Sequence, residues 1–330
     1  MKSTDESLEE LGWTDFFSEQ VSAEEAEQCH PVRVMAVHRG KIAVTGAGLQ
    51  HSVTPYIPGA LPSDDHPTVG DWLLIDNATL QPTRVLRRLN LFKRRAGDRH
   101  KEQMIAANVD TLFIVASCNQ DFSVARLERY LVLARDVGVN PVVVLTKTDL
   151  TETPDAFAAA ARAIEPGLQV ETVNGRDPAS AACLAAWCGK GKTVALLGSS
   201  GVGKSTLVNT LRGSDSIATQ AIRASDDTGR HTTTVREMHR LDRGGWLLDT
   251  PGMRELQLSD AAAGISEIFD DFLLVAQRCR FSNCSHGSEP GCAVQAAIAE
   301  GMLTSERFNR WRQLAAEDSV AAAYLAKRRR

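Results

Sequence analysis

The chain has 330 residues, 43% hydrophobic and 24% charged, the balance of a globular protein with room for two or three domains. No apolar run reaches membrane-spanning length, and the opening MKSTDESLEELGWTDFF lacks a signal peptide's basic start and apolar stretch, so a cytoplasmic protein is expected. The net charge of −4 does not exclude a nucleic-acid partner: residues 1–28 hold nine acidic residues and one Lys, and the remainder carries 36 basic against 32 acidic groups.

Residues 1–28, polar and acidic with few core-forming positions, read as a flexible tail. From 29 to 100 short β runs are predicted at 32–37, 41–46 and 71–76, separated by Gly and Pro clusters, which is the grammar of a small barrel. The stretch 47–70 lacks clear periodicity and reads as a long loop. Arg84 to Lys101 then carries eight Lys/Arg against one Asp, and RNA phosphate contact is preferred there over a solvated linker. From 101 to 260 strands and helices alternate. Apolar strands are predicted at 109–117, 141–146, 168–173, 192–198 and 245–249, with a helix over Ser123–Gly138, so a largely parallel sheet covered on both faces is expected. Residues 261–330 read as mainly helical around a Cys/His knot and end in Lys327-Arg328-Arg329-Arg330.

The sharpest motif is Gly198-Ser199-Ser200-Gly201-Val202-Gly203-Lys204-Ser205-Thr206, a complete phosphate-binding loop between an apolar strand and a helix. Its glycines let backbone N–H groups turn towards phosphate oxygens at a helix N-terminus. Lys204 is expected on the β- and γ-phosphates as a catalytic cation, and the Ser205 hydroxyl on Mg²⁺. Asp249-Thr250-Pro251-Gly252 follows another strand; alone it is a turn signal, but in this context Asp249 reads as a Mg²⁺ carboxylate and Gly252 as a γ-phosphate sensor. Thr146-Lys147-Thr148-Asp149 follows the strand PVVVL. Asp149 can accept hydrogen bonds from the ring N–H and exocyclic amine of guanine, a donor pair that adenine lacks, and Lys147 can lie along the base. Thr146 stands where Asn is usual, yet its hydroxyl can tie this loop to a neighbour.

The order of the motifs is permuted, since the base-reading motif precedes the phosphate loop. Between the phosphate loop and Asp249 lies GRHTTT (229–234), preceded by a polar stretch that reads as a switch loop. Thr233 is chosen as a Mg²⁺ ligand, with Thr232 and Thr234 as equivalents by pattern. Met253 stands where related GTPases orient water with Gln, so His231 is the candidate catalytic residue for that task, against the alternative of a solvated loop histidine. A GTP-sensing RNA-binding factor with negligible turnover is the competing reading of Met253. Finally, Cys279, Cys284, His286 and Cys292 form a Cys3His set suited to one closed, structural Zn²⁺ site, with free thiols or a disulfide as the alternatives. The odd total of seven cysteines argues against a disulfide framework.

With these residues assembled, the chain resembles the circularly permuted GTPases of small-subunit ribosome biogenesis, the RsgA family. The features carrying the resemblance are a β-barrel ahead of the GTPase core, the order TKTD–GSSGVGKST–GRHTTT–DTPG, and CRFSNCSHGSEPGCAV after it. It implies a multidomain α/β protein: an N-terminal OB-fold barrel (29–100), a circularly permuted P-loop GTPase domain (101–260) and a helical zinc-binding domain (261–330). It further implies GTP hydrolysis to GDP stimulated by the small (30S) ribosomal subunit, binding to its rRNA, and a cytoplasmic role in late subunit maturation. A permuted GTPase acting on another RNA is the alternative. Nothing in the sequence demands more than a monomer. The loop that supports guanine in such proteins reads Val173-Asn174-Gly175 here, and no base contact is assigned to it.

Overall fold

The computed structural model describes residues 6–38, 40–56, 66–96, 101–213, 236–249 and 262–328. The alternating sequence from 109 onward forms a five-stranded parallel sheet. Its strands are β8 (Thr111–Ser117), β9 (Asn140–Thr146), β10 (Gln169–Thr172), β11 (Thr193–Leu197) and β13 (Trp246–Asp249), in the order β10-β9-β8-β11-β13. Helix α3 (Val124–Val137) joins β8 to β9 and begins and ends where its sequence dictates. The Ser123 hydroxyl accepts from the Arg126 N–H, and Gly138 takes the left-handed conformation that closes the helix. Helix α4 (Pro154–Arg162) crosses from β9 to β10, a 3-10 helix (Ser180–Trp187) leads to β11, and α5 (Lys204–Arg212) follows β11. One sheet face packs on α3 and the C-terminal helices, the other on α5 and the 3-10 helix.

The N-terminal strands are β1 (Cys29–His38), β2 (Lys41–Gly46), β3 (Leu49–Val53), β4 (Trp72–Asp76) and β5 (Pro82–Val85), paired in the order β3-β2-β1-β4-β5. They close over their own apolar cluster of Val32, Val34, Ile42, Val44, Val53, Leu73 and Ile75. Among the described residues no ladder joins β3 to β5. Strand β3 occupies part of the stretch that periodicity reads as loop: Gln50, His51 and Ser52 are exposed, so no alternation of apolar residues announces it. A hairpin of β6 (Leu91–Ala96) and β7 (Lys101–Ala107) follows, and the domain boundary placed at 100/101 falls inside it. Strand β12 (Arg236–Arg240) runs antiparallel to β13 and also pairs with β1, so both groups of strands belong to one continuous sheet.

The acidic N-terminus departs from expectation. Residues 6–28 do not form a flexible tail; they pack across both strand groups. Leu11 and Phe17 are fully buried, and Trp13 meets Trp72 edge-on at 4.8 Å between ring centroids. The acidic side chains find cations: Glu25 binds Arg84 at 2.6 Å and Glu10 binds Lys190 at 2.7 Å, while Glu6 pairs with Arg240. A short helix, α1 (Asp15–Ser18), precedes α2 (Ala23–Gln28), whose start is fixed by a reciprocal capping box between Ser22 and Glu25. A few large apolar residues suffice to seat this acidic segment because Glu6, Glu10 and Glu25 each meet a cation where they land.

One buried guanidinium ties three segments together. Arg33 of β1 donates to the carbonyls of Leu11, Gly70 (3.4 Å) and Asn108 (3.1 Å). Burial pulls its pKa down to about 10, so it stays charged at neutral pH. Asn108 in turn donates from Nδ2 to the Gly70 carbonyl at 3.0 Å and accepts from the Leu89 N–H at 2.8 Å.

The C-terminal part holds α6 (Ala262–Ile268), α7 (Asp270–Ala276), α8 (Ala293–Ala299) and α9 (Ser305–Arg328). Arg310 of α9 grips the fully buried Glu128 of α3 at 2.5 and 3.0 Å.

Arg33→Met would leave the Leu11 and Asn108 carbonyls without their buried donor, while the Gly70 carbonyl keeps Asn108 Nδ2. It should lower unfolding stability by about 3 kcal/mol or more, read by urea denaturation.

Candidate nucleotide and metal sites

The phosphate loop sits between β11 and α5, as its sequence requires. A Cβ on Gly198 would lie 2.3 Å from the Val115 carbonyl oxygen of β8, so only glycine lets the two strands approach there. Gly203 has φ 95 and caps α5, and a Cβ on it would come within 3.3 Å of Thr146 Oγ1. Val202 is buried and anchors the loop in the sheet's second core. Lys204 Nζ donates to the carbonyls of Gly198 (2.6 Å) and Ser199, so its ammonium lies along the loop. Ser205 and Thr206 occupy the first turn of α5, half-buried, while Ser200 and Gly201 lie exposed at the loop's turn.

Strand β9 delivers the base-reading motif beside this loop. Thr146, the departure from the usual Asn, is buried. Its hydroxyl shares one proton between the carbonyl oxygens of Val202, the nearer acceptor, and Ala116 (3.2 Å), joining the ends of β8 and β9 to the phosphate loop. Lys147 takes a left-handed backbone (φ 59), and Thr148 and Asp149 follow in a 3-10 turn ending at Leu150. The result is a cleft of about 220 Å³ lined by Thr146, Lys147, Asp149, Leu150, Gly203 and Thr206, closed on its far side by Asn174, Gly175 and Arg176.

The sequence assigns no base contact to this far wall. Asn174 Oδ1 accepts from the Arg176 N–H at 3.1 Å, and the Asn174 N–H donates to Ser180 Oγ at 2.8 Å. Thr210 of α5 donates to the Gly175 carbonyl at 2.6 Å. The loop is therefore fixed to both the 3-10 helix and α5. Its position directly after β10, the strand beside β9, was the available signal.

The Mg²⁺ candidates are only partly located. Asp249 ends β13, and the parallel pairing of β13 with β11 sets its backbone beside the start of the phosphate loop. His231, Thr233 and Gly252 lie outside the described residues.

The Cys/His set converges. The ligand atoms of Cys279, Cys284, His286 and Cys292 all lie within 4.8 Å of one another. Cys279 Sγ and Cys292 Sγ are 3.5 and 3.7 Å from His286 Nδ1, and 4.0 Å from each other. A tetrahedral Zn²⁺ with thiolate and imidazole ligands needs separations of about 3.5–3.8 Å, so this donor set fits one metal ion. The imidazole is held edge-on by Phe272 at 5.5 Å, and Gln295 Nε2 donates to the His286 carbonyl at 2.7 Å. Glu289 braces the intervening loop by accepting from the N–H groups of Ser285 and Gly287.

The basic segment proves less uniform than its composition. Arg84 is engaged by Glu25, and Arg88 makes a two-pronged pair with buried Asp71 at 2.7 and 2.8 Å. Arg87 lies over Phe16, and Arg94 binds Gln103 on the hairpin. Several of these cations therefore hold the fold together, and charge counting could not separate them from surface groups.

A phosphate loop at a strand–helix junction, joined through Thr146 to an acidic base-reading turn that precedes it in sequence, defines a circularly permuted P-loop GTPase. The family model described as "RsgA GTPase" matches residues 85–259. The chain is 48% identical over 330 residues to "Small ribosomal subunit biogenesis GTPase RsgA 2" of Vibrio parahaemolyticus, covering 99% of this chain and 90% of that protein. It is also 48% identical over 315 residues to "Small ribosomal subunit biogenesis GTPase RsgA" of Mesorhizobium japonicum, covering 94% and 90%. The solved structure of YloQ, titled a circularly permuted GTPase, aligns with TM-score 0.61 and 26% identity over 88% of this chain and 94% of that one. YjeQ from Thermotoga maritima shares the fold with TM-score 0.61 at 23% identity, over 87% and 97%. The chain belongs to the RsgA GTPase family.

Thr146→Val removes the hydroxyl and leaves the Val202 carbonyl without its donor. Nucleotide affinity, measured by fluorescent-GDP titration, should fall by about 1–2 kcal/mol.

Proposed function

We propose that this protein binds GTP in the cleft between Asp149 and the phosphate loop, and hydrolyses it to GDP and phosphate while assisting late maturation of the small ribosomal subunit. The observation that supports this reading is the Thr146 bridge: its hydroxyl reaches the Val202 carbonyl of the phosphate loop, and Asp149 lines one cleft together with Gly203 and Thr206. Asp149 accepts the two donors of the guanine edge, and Lys147 flanks the base. The N–H groups of residues 198–206 bind phosphate oxygens, and Lys204 neutralises charge developing between the β- and γ-phosphates. Ser205, Asp249 and Thr233 are the groups assigned to hold Mg²⁺, which would neutralise the phosphate oxygens when bound. His231 orients the attacking water, and Gly252 senses the γ-phosphate.

The relatives, small ribosomal subunit biogenesis GTPases by name, support the subunit as partner. In this reading the five N-terminal strands are an OB-fold barrel that contacts rRNA with the β6–β7 hairpin. The C-terminal Cys3His set holds one structural Zn²⁺, since four protein ligands leave no open position for catalysis. The protein works in the cytoplasm as a monomer; no helix of the described residues is long and apolar enough to cross a membrane.

GTP hydrolysis measured while titrating purified 30S and 50S subunits separately tests the assignment. Stimulation by 30S alone is expected, and equal stimulation by both, or by neither, overturns it. Asp149→Asn should weaken GTP binding by roughly 1–3 kcal/mol, while wild-type protein binding ATP as tightly as GTP would refute base selection. Protein purified without added metal should contain about one zinc per chain. Cys284→Ser should lose both the zinc and thermal stability, and a variant keeping both would count against this ligand set.

A further inference from the structure

Strand β13 carries Asp249 at its C-terminal end and has two neighbours, β11 on one side and β12 on the other. The phosphate loop follows β11. Strand β12 is bonded on its other edge to β1, and the registers align: Ala36 of β1 faces Glu237 of β12, and Glu237 faces Asp249. Only two ladder steps, each of about 4.8 Å, separate the N-terminal strands from the backbone of Asp249.

The same edge of β1 that serves β12 at residues 36 and 37 serves β4 at residues 29–33, with a bulge between Val34 and Ala36 on the opposite, β2-facing ladder. Strand β1 therefore cannot shift along its length without disturbing both the barrel pairing and β12. The bridging strand is anchored at each end. Arg236, opposite Val37, donates from Nη1 to the Met104 carbonyl of β7. Burial, and then the nearby Arg94 charge, pull the Arg236 pKa below the usual arginine value, so the Met104 carbonyl compensates a desolvated cation. At the other end, Arg240 pairs with Glu6, and its guanidinium carbon lies 5.8 Å from the Trp246 ring centroid. Arg240 faces Trp246, the residue of β13 furthest from Asp249.

We propose that β12 transmits the position of the N-terminal strands and the β6–β7 hairpin to Asp249, with Arg236 as a positioning residue for GTP hydrolysis. This rests on the assignment of Asp249 to Mg²⁺ made above. An RNA seated on the barrel or hairpin that favours one placement of β12 thereby favours one placement of the Asp249 backbone. By linkage, Mg²⁺·GTP favours the RNA-bound placement to the same extent. The hydrogen-bonded ladder is the physical carrier, because a relative displacement of β1 and β13 must break or shear bonds on at least one edge of β12.

The test is Mg²⁺ titration of GTP hydrolysis by the full chain at saturating GTP. Arg236→Met should raise the half-maximal Mg²⁺ concentration roughly fivefold or more, with GTP binding in EDTA unchanged. Arg236→Lys keeps a donor and should give a smaller shift; should Arg236→Met not fold, that intermediate shift carries the test. Arg240→Gln loosens β12 at the end remote from Asp249, and should leave the Mg²⁺ requirement at the wild-type value even where it lowers Tm. A wild-type Mg²⁺ requirement in both Arg236 variants, or an equal shift in Arg240→Gln, overturns the proposal. Asp249→Asn separates the two levels. If it keeps the wild-type Mg²⁺ requirement, the Asp249 assignment fails and the inference falls with it. If it loses that requirement while the Arg236 variants do not shift, only the transmission fails.

Discussion

The Arg33 guanidinium is the constraint on which the arrangement of this molecule depends. It is fully buried, remains charged at neutral pH, and its hydrogen bonds end on the carbonyls of Leu11, Gly70 and Asn108. These belong to the N-terminal segment, the turn before β4 and the connection between the hairpin and the GTPase sheet. A buried cation tolerates no loss of acceptors, so the three segments are held in mutual register or none of them is. Asn108 extends the junction by bonding both Gly70 and Leu89. The acidic N-terminal segment completes it from outside, with Glu10 reaching Lys190 and the Glu10 carbonyl accepting from Trp246 Nε1.

Permutation becomes physically unremarkable once the Thr146 hydroxyl is considered. Chain order fixes which loop is made first, but a parallel ladder fixes which loops are neighbours. Strands β9, β8 and β11 lie side by side, and their C-terminal ends present the base-reading turn and the phosphate loop on one edge of the sheet. The hydroxyl then stitches them: its single proton is shared between the Val202 carbonyl of the phosphate loop, the nearer acceptor, and the Ala116 carbonyl at the end of β8. A Thr serves here because the group it must reach is a backbone carbonyl close at hand.

The features legible in the sequence were those whose chemistry is local. The phosphate loop needs glycines at fixed spacing, α3 needs Ser123 before it and Gly138 after it, and the Cys3His set needs four soft ligands within a short span. Each of these is decided within roughly sixteen residues or fewer, and each forms in the structure: the loop caps α5, Ser123 and Gly138 bound α3, and the Cys/His ligand atoms converge. What was not legible depends on partners distant in sequence. Glu25 and Arg84 are 59 residues apart and Glu6 and Arg240 are 234 apart, so neither an acidic tail nor a basic stretch could be recognised as two halves of ion pairs. Strand β12, Arg-Glu-Met-His-Arg, carries charges at 236, 237 and 240 and buries only Met238, so periodicity could not mark it as the bridge of an eleven-stranded sheet. The wall formed by Asn174, Gly175 and Arg176 was hidden for the same reason: its role follows from the adjacency of β10 and β9.

The C-terminal helix α9 applies the same logic to the metal site. Trp311 lies tilted against Phe272 at 4.1 Å between ring centroids and meets the His286 ring at 6.0 Å, so the imidazole of the Cys3His set is wedged in an aromatic cluster. One turn away on the same helix, Arg307 binds Asp271 at both carboxylate oxygens and Arg310 binds Glu128 of α3. Glu128 is wholly buried, so its charge is tolerable only while α9 supplies the guanidinium. The helix that packs on the metal ligand is thus also required by the GTPase sheet. The Cys3His knuckle thus has a mechanical connection to the GTPase sheet: α9 rests against it through Trp311 and His286, and α9 in turn keeps a charged α3 helix seated on the sheet.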